Sequence, residues 1–318
     1  MEDRPGNDER KEKYMNQVNA NHEICEQEDP CIFTFHGLHI CWDITSRCND
    51  NCYFCFAKKN SPENSLYDNI EILKKIISLK PKKISFVGGE PLLYGNNLFK
   101  LVKYGKYLDS DIEYSITTNA ILFFDTNLNL NFDLLNKVKK YFNWLTFSLD
   151  GYDEDLQQKM TRNKNHFYRI ITLLDILYKS TINIKINTLI SKLNIVNDNI
   201  IKLADIILKS GVKRWKLMQF LPSRGTALEN KNKYYITDNQ FKEIYSQAVD
   251  YVSSRVNMSK SDRYDSRGYL IISSNGKLIN YNGKQYYEKI DLLKESDDSL
   301  KLAIAKFNKI FRSKRNEK

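Results

Sequence analysis

The sequence predicts an α/β fold, a partial (β/α)6 TIM-type barrel with a C-terminal α/β extension. Two observations predict it. Between residues 33 and 220, about six short segments rich in β-branched and aromatic residues alternate with segments whose apolar residues recur at helical spacing. The unusual loop motifs also follow the ends of the predicted strands, where a parallel barrel carries its functional residues.

The predicted strands and helices alternate in a regular order. The first strand is the second half of FTFHGLHICWDIT, and the later ones are KKISFV, IEYSITTN, WLTFSLD, INIKINTLI and VKRWKLMQF. The helices between them are NSLYDNIEILKKIISLK, NNLFKLVKYGKYLDS, FDLLNKVKKYF, HFYRIITLLDILYKS and VNDNIIKLADIILKSG. The first helix has one apolar face, formed by Leu66, Ile70, Leu73, Ile76 and Ile77. Strands separated by helices favour a parallel sheet with right-handed crossovers.

The pattern changes beyond residue 225. ITDNQFKEIYSQAVDYVSS predicts a helix, SKSDRYDSRG a polar loop, and YLIISSNGKLINYNGKQ a hairpin with two Asn-Gly turn signals. SLKLAIAKFNKIFRSK predicts an amphipathic helix that packs on the domain. We therefore expect a flexible tail over residues 1–30, a partial barrel over 31–225, and an extension over 226–318 that closes the barrel.

Composition limits the classes of function. The 318 residues are 42% hydrophobic, which is enough for a sizeable core, and no segment approaches the roughly 20 apolar residues of a membrane span. The polar start of the chain is not typical of a secretory signal, so we expect a cytoplasmic protein without a membrane partner. The net charge of +10 fits either a lysine-rich solvated surface or an anionic small-molecule partner. The lysines are spread along the chain, so nucleic acid is not the expected partner.

Three of the six cysteines lie within the eight residues CNDNCYFC, as Cys48, Cys52 and Cys55. A structural zinc site wants four ligands, and the fourth would have to come from Cys41, from a nearby histidine or from a more distant group. Three thiolates suit a [4Fe–4S] cluster with one iron free to bind a small molecule. Cys25 and Cys31 precede the barrel and have no predicted role.

This motif resembles the radical SAM superfamily. CNDNCYFC has its CxxxCxxC form, with the aromatic Phe54 before the last cysteine, and GGEP at 88–91 is similar to its second motif. The resemblance implies that S-adenosylmethionine (SAM) is the fourth ligand of the cluster. It also implies that a reducing partner such as flavodoxin or ferredoxin supplies an electron, that SAM is cleaved to a 5′-deoxyadenosyl radical, and that this radical abstracts a hydrogen from the substrate.

The resemblance also implies a set of cofactor-binding residues. The glycine pair would let the backbone approach the methionine end of SAM, and an arginine could pair with its carboxylate through a bidentate fork. If Arg162 instead lies on the protein surface, it has no role in binding SAM. The implied residues are Phe54, Gly88, Gly89, Glu90, Asn119, Ser148 and Arg162.

Residues 38–285 are similar to viperin-like radical SAM enzymes, which dehydrate nucleoside triphosphates to 3′-deoxy-3′,4′-didehydro products; elements of the sequence also recur in molybdenum-cofactor-type members. By position, the resemblance implies a substrate site formed by Lys83, Lys185, Asn187, Arg214, Lys216 and Tyr269. Alternate residues of a strand face the same side, so Lys185 and Asn187 share one face of their strand, and Arg214 and Lys216 share one face of the next. If these side chains face into the barrel, a triphosphate or a carboxylate would pair with their charges. Alternatively, the charged side chains point outward at the ends of the strands.

The sequence departs from viperin-like enzymes at several places. Cys41 and Val87 replace an asparagine and a serine, LPSRGTALENKN replaces a glycine-rich acidic loop, and the membrane-targeting amphipathic N-terminus of the animal members is absent. The main alternative function is a radical SAM maturase of a peptide or another small metabolite. With no cysteine after Cys55, such an enzyme would hold no auxiliary clusters there. A non-enzymatic binding protein is a third hypothesis, which the intact triad and GGEP oppose.

Overall fold

The computed structural model of the protein describes residues 38–57, 61–161, 163–196, 198–263, 269–281 and 286–302. The predicted tail over residues 1–30, Arg162 and most of the predicted terminal helix lie outside them. Ten strands form one sheet in the order β10-β9-β8-β1-β2-β3-β4-β5-β6-β7. Within the part of the chain that is described, no helix is both long enough and apolar enough to cross a membrane.

The strands are β1 His39–Thr45, β2 Lys83–Gly88, β3 Glu113–Thr118, β4 Trp144–Ser148, β5 Asn183–Ile190, β6 Arg214–Gln219, β7 Asn257–Ser261, β8 Tyr269–Ile272, β9 Lys277–Tyr281 and β10 Tyr286–Asp291. The helices are α1 Leu66–Ile77, α2 Asn96–Leu108, α3 Phe132–Tyr141, α4 Glu154–Thr161, α5 His166–Leu177, α6 Asn199–Lys209, α7 Gly225–Glu229, α8 Lys231–Tyr234 and α9 Asp238–Val252. Short 3₁₀ helices cover Pro91–Tyr94 and Ile121–Phe123.

The sheet is that of an open, partial barrel, as predicted. Strands β8 and β1 to β7 are parallel to their neighbours, whereas β9 and β10 add to the β8 edge as antiparallel strands. The six predicted strands are joined by β7 and β8 from the extension, so the parallel part of the described sheet has eight strands. The prediction of a polar loop over 259–268 is wrong at its start, because Asn257–Ser261 pairs with β6 as a strand.

The core lies between the sheet and the helices that cover its outer face. In β5, Ile184, Ile186 and Ile190 are buried in this core, whereas Lys185 and Asn187 between them are half-buried on the opposite face. This is the period-2 alternation expected of a strand. Because one face packs on helices, the other faces the interior of the partial barrel. That interior face carries mainly polar side chains, and these form the candidate site.

Candidate active site

The three clustered cysteines lie in one loop that follows β1 at the C-terminal edge of the sheet. We call residues 48–57 the cysteine loop. Cys48, Cys52 and Cys55 are all half-buried. The backbone N–H two residues downstream donates a hydrogen bond to Sγ of Cys48 and of Cys55, at 3.4 Å in both cases. Hydrogen bonds of this kind stabilise sulfur that carries negative charge, as a cluster ligand does.

The chemistry of these thiols fits an iron–sulfur cluster. Burial raises the pKa of Cys48 and raises that of Cys52 further, with neighbouring negative groups adding to the effect. Thiolates at Cys48 and Cys52 therefore need a positive partner, which iron supplies. Among the described residues, no three His, Cys, Asp or Glu side chains are gathered closely enough to hold one metal ion. A four-iron cluster does not need that arrangement, because each thiolate binds a different iron.

The Gly88-Gly89 pair packs directly on the chain that leads into the cysteine loop. Gly88 has a φ of 118°, and a Cβ there would lie 2.5 Å from the carbonyl oxygen of Thr45. A Cβ on Gly89 would overlap the carbonyl oxygen of Arg47. The N–H of Gly89 donates to Thr45 at 2.8 Å, and that of Glu90 donates to Arg47 at 2.8 Å. A side chain at either position would therefore clash with the backbone that leads into the cysteine loop. This packing requirement is separate from the predicted close approach of the backbone to SAM.

Glu90 is a buried connection between two loops of the site. Its side chain is fully buried, and it accepts hydrogen bonds from the N–H groups of Leu92 at 3.1 Å and Asn119 at 2.8 Å. Burial raises the pKa of Glu90 to about 7. Asn119 in turn donates from Nδ2 to Asn49 at 2.9 Å and lies 3.8 Å from Cys48 Sγ. GGEP and the end of β3 are therefore tied to the cysteine loop through Glu90 and Asn119.

The segment 224–230, which follows β6, clamps the cysteine loop through main-chain carbonyls. Thr226 Oγ1 lies 3.0 Å from the carbonyl oxygen of Cys52 and 3.1 Å from that of Cys55. Arg224 Nε donates to the carbonyl of residue 56 at 2.7 Å, and Asn230 Nδ2 to that of residue 53 at 3.2 Å. From the sequence, the start of this segment was recognised as part of a motif after the sixth strand and as a departure from viperin-like enzymes, but no contact with the cysteine loop was predicted for it. Its position after a strand at the C-terminal edge was the available signal.

Phe54 packs in a second, smaller core beside the cysteine loop. Its ring lies 6.0 Å from that of Tyr234, which lies 5.5 Å from Phe220, and Met160 completes the buried cluster. Ser148 ends β4, where its carbonyl pairs with His166 Nε2 at 3.0 Å. Arg162 is outside the described residues. The cofactor roles predicted for these residues stay predictions.

The predicted substrate residues lie deeper in the barrel, toward the N-terminal ends of the strands. Lys83 and Arg214 are the first residues of β2 and β6, and Lys216 follows two residues later. In the register of β5 and β6, Lys185 lies opposite Arg214, and Asn187 lies opposite Lys216. We call Lys83, Lys185, Arg214 and Lys216 the cationic cluster. Tyr269 pairs with His39 through the backbone, but its side chain is outside what is described.

Three of the four cations, Lys83, Lys185 and Lys216, face the interior, whereas Arg214 lies exposed at the start of its strand, as the alternative for the strand ends predicted. Burial, then Lys216 and Lys83, lowers the pKa of Lys185 to about 7. Burial also lowers the pKa of Lys83 to about 8. His39 lies among them, and burial together with all four cations lowers its pKa to about 3. Lys83, Lys185 and Lys216 are half-buried, whereas Arg214 is exposed at the end of the barrel.

Two further interior residues lie between the cations and the cysteine loop on β1. Burial raises the pKa of Cys41 to about 11, and the thiol lies within electrostatic reach of the lysines. Burial raises the pKa of Asp43 to about 6, which Arg224 partly offsets. Asp43 and Arg224 line a small cleft, partly open to solvent, together with Gly88 and Gly89. Asp43 was not among the predicted site residues, although its place in the alternation of β1 predicts that its side chain faces inward.

The sequence is related to known proteins over most of its length. The profile of the radical SAM superfamily matches residues 42–207, just over half of the chain. An S-adenosylmethionine-dependent nucleotide dehydratase of Lacinutrix mariniflava is 32% identical over 262 residues, which cover 76% of this chain and 50% of that protein. One of Flammeovirga pacifica is 26% identical over 253 residues, covering 76% and 81%. The chain thus spans about half the length of the first relative.

Solved structures share the fold. Streptococcus suis SuiB bound to S-adenosylmethionine superposes with a TM-score of 0.66 at 17% identity, covering 91% of this chain and 75% of that one. The superfamily profile covers both the cysteine loop and the GGEP turn. On this evidence the protein is an enzyme of the radical SAM superfamily, whose members use a [4Fe–4S] cluster and S-adenosylmethionine.

Proposed function

We propose that this enzyme acts on a nucleoside triphosphate, as a dehydratase of the viperin-like kind. The cationic cluster inside the barrel is the observation that carries the proposal. Buried charges are costly unless they are paired. Lys185 and Lys83 have lowered pKa values because burial and like charges disfavour their protonated forms. A chain of phosphates would place negative charge beside Lys185 and Lys83 and favour their protonated forms.

The position of the cations favours a long ligand. On β1, His39 lies among the cations, and Thr45 ends the strand three residues before Cys48. Thr45 lies six positions after His39, which corresponds to roughly 20 Å of strand at about 3.3 Å per residue. An anion held at the cationic cluster must therefore carry an extended group if it is to reach the cofactor end. A nucleoside attached to a triphosphate meets this requirement, whereas a small anion alone does not.

An unsatisfied polar atom supports a sugar between the two ends. Asn187 Oδ1 is buried and has no hydrogen-bond partner among the described residues. In the strand register it lies beside Ser148 on one side and Lys216 on the other. Buried acceptors are normally hydrogen-bonded, and a ribose hydroxyl would satisfy this one. The cluster and SAM supply hydrogen-atom abstraction, and the chain's own residues orient the sugar and exclude water.

The names of the two nucleotide dehydratases agree with this substrate class. The proposal extends to a cytoplasmic enzyme reduced by a flavodoxin or a ferredoxin. Clamping of the cysteine loop by segment 224–230 supports a site in which the end of β6 completes the cofactor region.

The test is SAM cleavage by the anaerobically reconstituted holoenzyme. With dithionite as reductant, 5′-deoxyadenosine is measured alone and with each of ATP, GTP, CTP and UTP. We expect one triphosphate to stimulate its formation strongly and to be converted to a product lighter by one water. The Cys48→Ala variant, which should hold no active cluster, is the control for background chemistry. Cleavage that no triphosphate alters would contradict the proposal and favour a peptide or another metabolite as substrate.

A further inference from the structure

Trp144 lies at the deep end of the barrel, in contact with half of the cationic cluster. Lys83 Nζ lies 4.6 Å from the centroid of its ring, and Arg214 Cζ lies 4.5 Å from it. The two cations come from β2 and β6, on either side of β4, which Trp144 begins. The indole is only 7% exposed. Its Nε1 donates a hydrogen bond of 3.2 Å to the Glu113 side chain on the neighbouring strand. This hydrogen bond holds the indole ring in its orientation.

An aromatic face holds a cation in a way that a carboxylate does not. An ion pair would place Lys83 and Arg214 but would also neutralise them. The ring quadrupole attracts each cation by cation–π interaction and leaves its full charge available to a ligand. Burial lowers the pKa of Lys83, Glu113 partly offsets this, and Arg214 lowers the pKa again, so the two cations repel one another. Trp144 therefore offsets a repulsion that would otherwise move the two side chains apart before any anion arrives.

We propose that Trp144 is a positioning residue that holds Lys83 and Arg214 ready for the terminal phosphate of the substrate. This inference rests on the proposed function, because it concerns the same site. Lys83 and Arg214 begin their strands, so they lie farther from the cysteine loop than Lys216 does. A nucleotide with its sugar toward the cofactors would reach them only with its last phosphate. Trp144 would thus help the site to distinguish triphosphates from diphosphates.

The experiment is anaerobic calorimetry on the holoenzyme at a fixed pH. The probes are tripolyphosphate, and the triphosphate and diphosphate of each of the four common ribonucleosides. The variants are Trp144→Leu, which removes the aromatic face, and Trp144→Phe, which keeps a weaker one. Trp215→Phe is the matched control, because Trp215 is fully buried on the helix-facing side of β6 and bonds Thr188. Iron content and thermal unfolding are measured for every variant.

We expect Trp144→Leu to bind tripolyphosphate and triphosphates roughly 10-fold more weakly, and Trp144→Phe roughly 3-fold, as expected for two partly exposed cation–π contacts. Diphosphate affinity and iron content should change little, and the control should match the wild type. If Trp144→Leu binds tripolyphosphate as tightly as the wild type, the positioning role is wrong while the proposed function stands. Equal losses for triphosphates and diphosphates with lower iron content would make Trp144 a packing residue. A wild-type enzyme that binds none of these phosphates would overturn both proposals.

Discussion

Replacing Lys185 with methionine tests whether the interior cations bind an anion. Methionine keeps an unbranched side chain of similar length and removes only the charge. A hydrogen bond to a charged group contributes about 1.5–3 kcal/mol, so the Lys185→Met variant should bind the triphosphate roughly 10- to 100-fold more weakly at pH 6.5. Lys213 is an exposed lysine next to Arg214, and Lys213→Met is the matched control with no expected loss.

The pKa of Lys185 makes this binding depend on pH in a defined direction. With pKa values of about 7 for Lys185 and about 8 for Lys83, about nine tenths of the first and half of the second are uncharged at pH 8. An anion favours the protonated forms, so binding at pH 8 should take up as much as about 1.4 protons, the total of these two uncharged fractions. Affinity should fall as pH rises above 7, by at most about tenfold per pH unit for each proton taken up.

Calorimetry in two buffers measures this proton uptake directly. The triphosphate that stimulates SAM cleavage is titrated at pH 8 in HEPES and in Tris, whose ionisation enthalpies differ. At this pH the phosphates are already ionised, so they contribute little to the proton count. Lys185→Met should reduce the uptake to about half a proton, the share of Lys83. No uptake by the wild type, or equal uptake by the variant, would refute the idea that Lys185 pairs with the anion.

Three other predictions concern the cofactor end and one the cations. Cys48→Ala should abolish iron binding and SAM cleavage together, whereas Cys41→Ala should keep the iron; activity surviving in the first variant would contradict the cluster assignment. Gly89→Ala should destabilise the fold by about 1–3 kcal/mol in urea unfolding, because its Cβ overlaps a backbone carbonyl. Thr226→Val removes the hydroxyl that contacts two carbonyls of the cysteine loop and should speed iron loss to a chelator, with little change in helix content. Lys216→Ala should weaken triphosphate binding and leave the iron content unchanged; loss of the cluster would show a structural role instead.

The sequence predicted the elements whose residues follow a clear period. The five strands from KKISFV to VKRWKLMQF and the helices between them carry their own apolar pattern, and the structure has all of them. Strand β7, NMSKS, has no such pattern, because it pairs by its backbone along β6 and its side chains are only half-buried or exposed. Tertiary context, and not local propensity, makes this segment a strand.

The residues of the candidate site likewise fall into those that the sequence could predict and those that it could not. Cys48, Cys52 and Cys55 were predictable because their spacing lies within eight residues. The contact of Trp144 with two cations was not, because it depends on the register of strands that are far apart in sequence. The role of Thr226 was also hidden, because it bonds main-chain carbonyls, which leave no trace in the identity of their residues.

The clamp on the cysteine loop has a consequence for biosynthesis. Thr226 and its partner Cys52 are separated by 174 positions along the chain. At roughly 5–20 residues per second, a ribosome needs about 9 to 35 seconds to synthesise that interval. The cysteine loop therefore emerges long before the segment that secures it. Iron delivered to the nascent chain would meet an unclamped loop, so stable cluster insertion should follow synthesis of β6 and belong to the late stages of maturation.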